Sequence, residues 1–407
     1  MNLTDPRRIP FGVFSDPEIY AREQARIYRG PTWNFVALEA EIPAPHDFKS
    51  TFVGDTPVVI TRDAAGELHG WVNRCAHKGA LVCREPHGNA ETHTCVYHQW
   101  SYDCTGALQG VPFMRGLTRG ESRMTGMPPG FDRQDHGLER LRIDAYRGLV
   151  FATFDAALMP LAGYLGPAMR ARIDRLFHKP IEFLGVTRQY SRSNWKLYVE
   201  NARDQYHATL LHLFHTTFNI ARVNMRVQCS NDGPDSMHSC LLAIRDGDQG
   251  AKEYEREQIR SYAADVKLND PSLLDMRLEF DLETTNHIQS IFPSLVIQQI
   301  HNTLACRQVL PKGTDHFELV FHFFGYSDDD PELRRMRIRQ VNFVGPAGYI
   351  SMEDTEATEL VQRGIAGSTR AHSVIDMCKS APEGEDSMIS EHFVRTFWRA
   401  YSSLMRD

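Results

Sequence analysis

Two short loops in the sequence each combine one cysteine with one histidine. Cys75 and His77 lie in NRCAHKG, and Cys95 and His98 lie in CVYHQ, which gives the pattern C-x-H-x17-C-x-x-H. Two thiolates and two imidazoles form the ligand set of a two-iron cluster with unlike irons. A structural zinc site uses the same residue types, but zinc fingers usually place like ligands in each arm. The mixed pairs therefore predict a [2Fe–2S] cluster.

A second group of histidines lies in NWKLYVENARDQYHATLLHLFH, residues 194–215. His207 and His212 are candidates for the imidazoles of a 2-His-1-carboxylate iron site, which leaves coordination positions open for O2. Residues five apart differ by about 140° around an ideal helix, so a break in the helix is predicted near 208–211. His215 is a competing candidate, and the residues alone do not decide between His215 and His212.

The bulk composition limits the partners and the location that we expect. The chain has 407 residues, a net charge of −7 and a sequence pI of about 6.2, which argues against nucleic acid as a partner. No apolar run approaches the roughly 18 residues that a membrane span requires, and MNLTDPRRIPFG lacks the apolar core of a secretion signal. We therefore expect a cytoplasmic protein without a membrane anchor, whose cysteines are thiols or metal ligands rather than disulfides.

The elements that must position these residues change in character along the chain. Asp16 and Pro17 predict the start of a helix over 16–28. Short β-rich runs predict an all-β module, and the mixed helix-like and strand-like segments that follow predict an antiparallel sheet flanked by helices. We expect an α+β protein with an N-terminal helical segment (1–42) that packs on the catalytic domain, an all-β iron–sulfur domain (43–158) and a catalytic iron domain (159–407).

The flanks of both groups resemble those of a known family. N-R-C-A-H-K-G-A and C-V-Y-H-Q-W-S-Y-D-C-T-G resemble the Rieske domain of ring-hydroxylating oxygenases, without the additional loop cysteines of respiratory Rieske proteins. E-N-x-x-D-x-Y-H-x4-H is similar to the mononuclear iron motif of the same family. The resemblance spans nearly the whole chain. It implies a Rieske β-domain, a catalytic domain of the helix-grip type, and a [2Fe–2S] cluster and a mononuclear Fe(II) as cofactors.

The resemblance also assigns the ligands of the mononuclear iron. It implies that His207 and His212 are the two imidazole ligands. The segment GPAGYISMEDTE resembles the C-terminal ligand segment of the family, and its alignment selects Asp354 as the third ligand. Glu353 and Glu356 are the neighbours that an error of register would select instead.

Two further residues of the histidine motif acquire roles from the resemblance. Asp204 matches a carboxylate that, in relatives, hydrogen-bonds the iron-ligand histidine and a Rieske histidine of the adjacent subunit. Electrons would then pass from His98 through Asp204 to His207 of a neighbouring subunit. Asn201 matches a family position close to the iron.

The resemblance points to an aromatic carboxylic acid as the substrate. Terephthalate dioxygenases and salicylate 5-hydroxylases look most similar, and anthranilate, halobenzoate and indole-acetate oxygenases are further relatives. A buried carboxylate calls for an arginine, which binds it through two hydrogen bonds. Arg307, in the strand-like run LACRQVL, is the principal candidate, and Arg395 is a weaker one. Ile288, Ile297 and Gln299 are expected to shape the pocket.

The same resemblance implies a terminal oxygenase component, the α-subunit of a multicomponent dioxygenase that uses O2 and NAD(P)H. A separate reductase or ferredoxin would supply electrons, and the chain would assemble as α3 or, with a small β-subunit, as α3β3. A monooxygenase, either a monohydroxylase or an O-demethylase, would share all of the ligands. A Rieske electron-transfer protein would leave the second half of the chain unexplained, and a zinc-stabilised binding module fits the ligand pattern least well.

Overall fold

The computed structural model describes residues 3–245, 251–280, 282–346, 348–368, 371–378 and 386–406. The chain forms two compact units. The smaller unit contains residues 29–31 and 35–158, and the larger unit contains the segment that ends at Tyr28, residues 32–34 and the chain from Met159 onward. Within the described residues, the helices are too short or too polar to cross a bilayer.

The smaller unit is built from short antiparallel strands, as the sequence predicts. Its main sheet has the order β1-β12-β11-β4-β3-β2-β5, a second sheet has the order β6-β7-β8, and β9 and β10 form a hairpin within the long loop of 105–137. The strands are β1 (Asn34–Leu38), β2 (Asp47–Val53), β3 (Thr56–Arg62), β4 (Leu68–Val72), β5 (His87–Asn89), β6 (Thr92–Thr94), β7 (Ser101–Asp103), β8 (Leu108–Gly110), β9 (Leu117–Arg119), β10 (Ser122–Met124), β11 (Arg140–Tyr146) and β12 (Leu149–Thr153).

The boundary of this unit differs from the expected start at residue 43. Residues 35–42 belong to the smaller unit because β1 lies at the edge of its main sheet, beside β12. All five residues of β1 are buried. A short strand that is buried throughout and shows no apolar–polar alternation, NFVAL, is difficult to assign from sequence to one domain or the other.

The core of the smaller unit reaches the two cysteine loops. Val59 of β3 and Trp71 of β4 lie directly opposite each other, and both are fully buried. Cys75 and Cys95 pack against the same apolar cluster. The cluster loops are therefore anchored to the rigid interior of the sheet.

The larger unit contains one antiparallel sheet and the helices that cover it. The sheet has the order β13-β19-β18-β17-β16-β15-β14. Its strands are β13 (Ile181–Ser191), β14 (Arg226–Asp232), β15 (His238–Ile244), β16 (Thr284–Ile291), β17 (Leu295–Ile300), β18 (Thr303–Pro311) and β19 (Phe317–Tyr326). The helices are α1 (Pro17–Glu23), α2 (Leu161–Leu176), α3 (Trp195–Asn201), α4 (Gln205–Leu211), α5 (Leu213–Thr217), α6 (Lys252–Arg256), α7 (Pro331–Val344), α8 (Tyr349–Gly364) and α9 (His392–Met405).

Local sequence signals explain several of these boundaries. The Asp16 carboxylate caps α1 by accepting hydrogen bonds from two backbone N–H groups, and Asp330 caps α7 in the same way before Pro331. Between residues 251 and 265 only α6 is helical, and it ends at Arg256. A turn over residues 292–294 separates β16 from β17.

A buried ion pair joins the N-terminal helix to α3. The Nζ atom of Lys196 lies 2.7 Å from Oε1 of Glu23, and both side chains are almost fully buried. The indole Nε1 of Trp195 donates to the other carboxylate oxygen of Glu23 at 2.8 Å, and the Tyr401 hydroxyl of α9 donates to Oε1. These contacts fix the start of α3, which leads directly into the histidine motif.

Strand alternation gives the larger sheet two distinct faces. Gln289 and Gln299 face α2: Nε2 of Gln289 donates to the Met169 carbonyl oxygen at 2.9 Å, and Oε1 of Gln299 accepts from Arg175 at 2.8 Å. The other face is covered by α3 and its continuation. This second face is the one that meets the histidine motif.

Candidate metal centres

The two cysteine loops of the smaller unit share one backbone geometry. In each loop the cysteine N–H donates to the carbonyl oxygen five residues later, and the cysteine carbonyl accepts from the N–H four residues later. These two distances are 2.8 and 2.9 Å in the Cys75 loop and 2.9 and 3.0 Å in the Cys95 loop. The fourth residue after each cysteine, Gly79 or Gln99, has a positive φ that closes the turn. The two cysteines thus occupy equivalent positions, whereas His77 follows its cysteine by two residues and His98 follows its cysteine by three.

The side chains of these loops converge in a way that fits a cluster with unlike irons. The Cys75 and Cys95 side chains are buried, and the ring centroids of His77 and His98 lie 4.4 Å apart. The His77 ring stacks on Trp100 at 4.8 Å, and its Nδ1 atom is buried without a hydrogen-bond partner among the residues that the structure describes. A buried imidazole nitrogen of this kind is what a metal ligand requires. These residues could hold a [2Fe–2S] cluster.

The structure adds Tyr102, which the sequence analysis missed. Its hydroxyl oxygen lies 3.3 Å from Sγ of Cys75 and accepts a hydrogen bond from the Ala76 N–H at 3.1 Å. Hydrogen bonds to ligand sulfurs help set the reduction potential of such clusters. Cys83 lies outside the two loops: its Sγ atom is 3.1 Å from Nδ1 of His93, and burial raises the pKa of the thiol to about 12.

The histidine motif of the larger unit contains the predicted break, one residue later than expected. Helix α4 ends at Leu211, His212 has an extended backbone (φ −82°, ψ 98°), and α5 begins at Leu213. The turn between the helices brings His212 to the same side as His207. The Nε2 atoms of both histidines lie 3.3 Å from Oδ1 of Asp354 on α8.

His207, His212 and Asp354 form a group whose ligand atoms lie within 4.8 Å of one another. Burial alone would raise the pKa of Asp354, but the two imidazoles hold it well below its usual range. Burial alone would lower the pKa of His212, but Asp354 and Glu353 raise it to about 9. Two imidazoles and one ionised carboxylate, on one side of a cavity, form the donor set that suits a mononuclear Fe(II).

Glu353, the expected source of a register error, orients one of these histidines. The Nδ1–H of His212 donates to Oε2 of Glu353 at 2.8 Å, and Oε1 of Glu353 accepts from the Leu213 N–H at 3.2 Å. The carboxylate therefore holds both the imidazole ring and the first turn of α5. This arrangement leaves Nε2 of His212 free to bind a metal. Glu356 is exposed.

Asp204 is arranged differently from the sequence expectation. Its Oδ1 atom caps α4 by accepting from the N–H groups of Tyr206 and His207, at 2.9 and 3.3 Å. The Nδ1–H of His207 donates to the backbone carbonyl of Asp204 at 2.6 Å, whereas Oδ2 of Asp204 is 3.9 Å away. The carbonyl fixes the His207 ring, so Oδ2 remains available for another partner.

A cavity opens beside the three candidate ligands and contains two of the five residues that were expected to contact substrate. Asn201, Ile288 and Arg307 line it, together with His215 and the two ligand histidines. The remaining lining residues were missed by the sequence analysis, and they are Ala202, Arg203, Gln205, Ala208, Ser239, Leu241, Asn286, Ile300, Ile350, Met388 and Phe393. Asn286 could have been found by following strand alternation from Ile288, which lies two residues away on β16.

Arg307 is the expected cation in this cavity. Its guanidinium donates to Oε1 of Gln298 and, at 2.9 Å, to the hydroxyl of Tyr198, and it lies 5.7 Å from the centre of the Phe321 ring. The residue is 6% exposed. Within the ranges that the structure describes, the carboxylates form no ion pair with Arg307. A buried guanidinium with only neutral partners is suited to an anionic ligand.

Three of the expected pocket residues are placed elsewhere. Ile297 and Gln299 lie on the opposite face of β17 from Ile300, and Gln299 is bonded to Arg175 of α2. Arg395 donates to the backbone carbonyls of Ile375 and Met377, so it stabilises the C-terminal segment instead of lining the cavity. The expectation that these three side chains contact substrate is therefore corrected.

His215, the competing ligand candidate, lies outside the three-residue group. It belongs to α5 and its ring centroid is 4.7 Å from that of His212. Burial lowers the pKa of His215 well below the usual value, so the imidazole is neutral.

Comparison with known proteins agrees with both centres. A Rieske [2Fe-2S] domain model matches residues 32–121, and a ring hydroxylating alpha subunit (catalytic domain) model matches residues 182–407. The chain is 61% identical to the anthranilate 1,2-dioxygenase large subunit of Burkholderia cepacia, across 98% of this chain and 94% of the relative.

Two further relatives have lower identity and similar coverage. The terephthalate 1,2-dioxygenase terminal oxygenase subunit alpha 2 of Comamonas sp is 43% identical across 98% of this chain and 95% of its own length. The salicylate 5-hydroxylase large oxygenase component of Ralstonia sp is 38% identical across 96% of this chain and 93% of its own length. Among solved structures, naphthalene 1,2-dioxygenase from Rhodococcus sp. aligns with a TM-score of 0.80 and 22% identity, covering 98% of this chain and 94% of that chain, which supports the same fold.

Replacement of Glu353 by alanine should weaken metal binding without changing the ligand set. Loss of the carboxylate frees the His212 ring, and such outer contacts typically change metal affinity by about 10- to 100-fold. The measurement is an equilibrium titration of metal-free protein with Fe(II) or Co(II). Glu356→Ala is the matched control on the same helix and should leave the affinity unchanged. Equal affinities for Glu353→Ala and the wild type would contradict the assigned role.

Proposed function

Because the chain belongs to the ring-hydroxylating oxygenase alpha subunits, which carry a Rieske cluster and a mononuclear iron, we propose that it is the large subunit of an anthranilate-type 1,2-dioxygenase. The observation that carries the proposal is the buried Arg307 guanidinium, which shares a cavity with His207, His212 and Asp354. A site of this kind suits an aromatic acid. The choice of anthranilate among such acids rests on the relative that is 61% identical.

The ligand roles follow from the two centres. In this proposal Cys75, Cys95, His77 and His98 hold the cluster, and His207, His212 and Asp354 hold the iron. When bound, the cluster supplies single electrons and the iron supplies reductive activation of O2. The chain itself orients the substrate and provides a largely apolar surround through Leu241, Ile288, Ile300, Ile350, Met388 and Phe393, which limits water.

Electron delivery is the second part of the proposal. A reductase or ferredoxin would reduce the cluster, and Asp204 would connect His98 of one subunit to His207 of the next within an α3 or α3β3 assembly. The position of Asp204 supports this role, because its Oδ2 atom is not needed to hold the His207 ring. We expect the assembly to be cytoplasmic.

The proposed reaction is tested by single turnover of anaerobically reduced protein with 18O2 and aromatic acids. Anthranilate should be consumed in preference to terephthalate and salicylate, and mass spectrometry should find two 18O atoms in the initial product. A single label, with salicylate as the preferred substrate, would favour a monohydroxylase like the relative that is 38% identical. Absence of oxygen incorporation into every aromatic acid would contradict the proposal.

Replacement of Arg307 by alanine should raise the KM for anthranilate by about tenfold to a hundredfold, since hydrogen bonds to charged groups contribute about 1.5–3 kcal/mol. Iron content should stay unchanged, because Arg307 is not a ligand. Arg334→Ala is the control, since Arg334 is exposed and pairs with Glu182 at the surface. Steady-state kinetics with metal analysis make the measurement, and an unchanged KM would remove Arg307 from the substrate site.

Replacement of Asp204 by asparagine should stop turnover while both metal centres stay loaded. Asparagine is also a good helix cap, so α4 should persist, whereas the charge that couples the two histidines is lost. The measurement compares steady-state turnover with the rate of cluster oxidation after mixing reduced protein with substrate and O2. Normal turnover in Asp204→Asn would contradict the bridge.

A further inference from the structure

His215 lines the active-site cavity with both ring nitrogens unpartnered. It is 3% exposed, and neither Nδ1 nor Nε2 has a hydrogen-bond partner within the described part of the chain. The ring packs edge-to-face against the His212 ring, with centroids 4.7 Å apart. A polar side chain is thus buried immediately beside the candidate iron ligands without any protein group to satisfy it.

An unsatisfied buried imidazole requires a partner from the cavity. A neutral imidazole offers one N–H donor and one lone-pair acceptor, and burying both without partners disfavours the folded state. The metal does not fill this role, because His215 lies outside the group formed by His207, His212 and Asp354. The substrate, which enters the same cavity, is the group that can reach it.

His215 and Arg307 lie beside different candidate iron ligands. Arg307 donates to the Tyr198 hydroxyl and lines the cavity that also contains Asp354. His215 instead contacts His212. A substrate that carries two polar groups on adjacent ring carbons can therefore engage both residues while the bond between those carbons faces the ligands.

On the basis of the proposed function, we infer that His215 recognises the ortho-amino group of the aromatic acid. The substrate carboxylate only accepts hydrogen bonds and is matched by Arg307. The amino group carries N–H donors and is matched by the imidazole lone pair of His215. Together, these two contacts would place the ring carbons C1 and C2 of 2-aminobenzoate, which bear the carboxylate and the amino group, next to His207, His212 and Asp354.

Besides Gln205, whose Oε1 atom is also buried without a hydrogen-bond partner in the described residues, Asn286 is an alternative acceptor in the cavity, since its Oδ1 atom is likewise buried and unpartnered there. It lies opposite Ile300 on β17, whereas Arg307 lies opposite Val296. Four residues along a strand correspond to about 13 Å. An amino group ortho to a carboxylate held by Arg307 is therefore poorly placed for Asn286, which favours His215.

The test compares anthranilate with 2-methylbenzoate, which replaces the amino group by a methyl group of similar size. Dissociation constants are measured by calorimetry under nitrogen with iron-loaded wild type, His215→Leu, His215→Gln and Asn286→Ala. Wild type should bind anthranilate about tenfold more tightly than 2-methylbenzoate, as expected for one buried hydrogen bond. His215→Leu should abolish this preference without weakening 2-methylbenzoate, and His215→Gln should retain part of it because glutamine keeps an acceptor.

The controls separate this inference from the proposed function. His316→Leu, at an exposed histidine that pairs with Asp315, should preserve the preference. A wild type that binds anthranilate no more tightly than 2-methylbenzoate overturns this inference, whereas the proposed function is overturned only by the absence of 18O incorporation in the turnover experiment. A preference that persists in His215→Leu, or that disappears in Asn286→Ala instead, overturns the inference alone. If His215→Leu fails to fold, the anthranilate preference of His215→Gln is compared with that of Asn286→Ala. An equal reduction of the preference in these two variants likewise overturns the inference.

Discussion

The catalytic half of this chain depends on one interruption in a helix. Imidazoles five residues apart cannot meet one metal from a regular helix, and the extended backbone at His212 removes that conflict. Asp354, from a helix distant in sequence, completes the group, and its ionised carboxylate is stabilised in a buried position by the two imidazoles. Glu353 stabilises the break itself, because it accepts from both the His212 ring and the first N–H of α5. The position of the ligand atoms therefore depends on the helix break, and the break and the ligands depend in turn on the two neighbouring carboxylates.

Much of this architecture could be predicted because its signals are local. The cysteine and histidine loops, the caps at Asp16 and Asp330 and the need for a helix break follow from residue types and spacing alone. The antiparallel sheet between helices follows from strand-like runs that are clustered in sequence. The assignment of Asp354 instead of Glu353 came only from family resemblance. Both are acidic residues at adjacent positions of one helix, so residue type and spacing alone do not show which carboxylate is the ligand. In the structure they take different roles, one facing both imidazole Nε2 atoms and the other holding Nδ1 of His212.

The unpredicted features depend on relations between distant parts of the chain. Ile297 and Gln299 were expected in the pocket, but the face that a strand residue presents depends on sheet register, and both turn toward α2. Arg395 satisfies backbone carbonyls that no sequence pattern could identify. The use of the Asp204 carbonyl, instead of its carboxylate, to hold His207 depends on the capping geometry of α4. Packing and register therefore decide which polar residues reach the cavity.

The central claim is that His207, His212 and Asp354 hold an iron that is independent of the cluster. The most direct measurement is the iron and acid-labile sulfide content of wild-type protein and of Asp354→Ala. The wild type should contain one iron per chain beyond those of its [2Fe–2S] cluster, and Asp354→Ala should lose that iron while it keeps the sulfide and the cluster's visible spectrum. The same iron-to-sulfide ratio in both proteins would contradict the account.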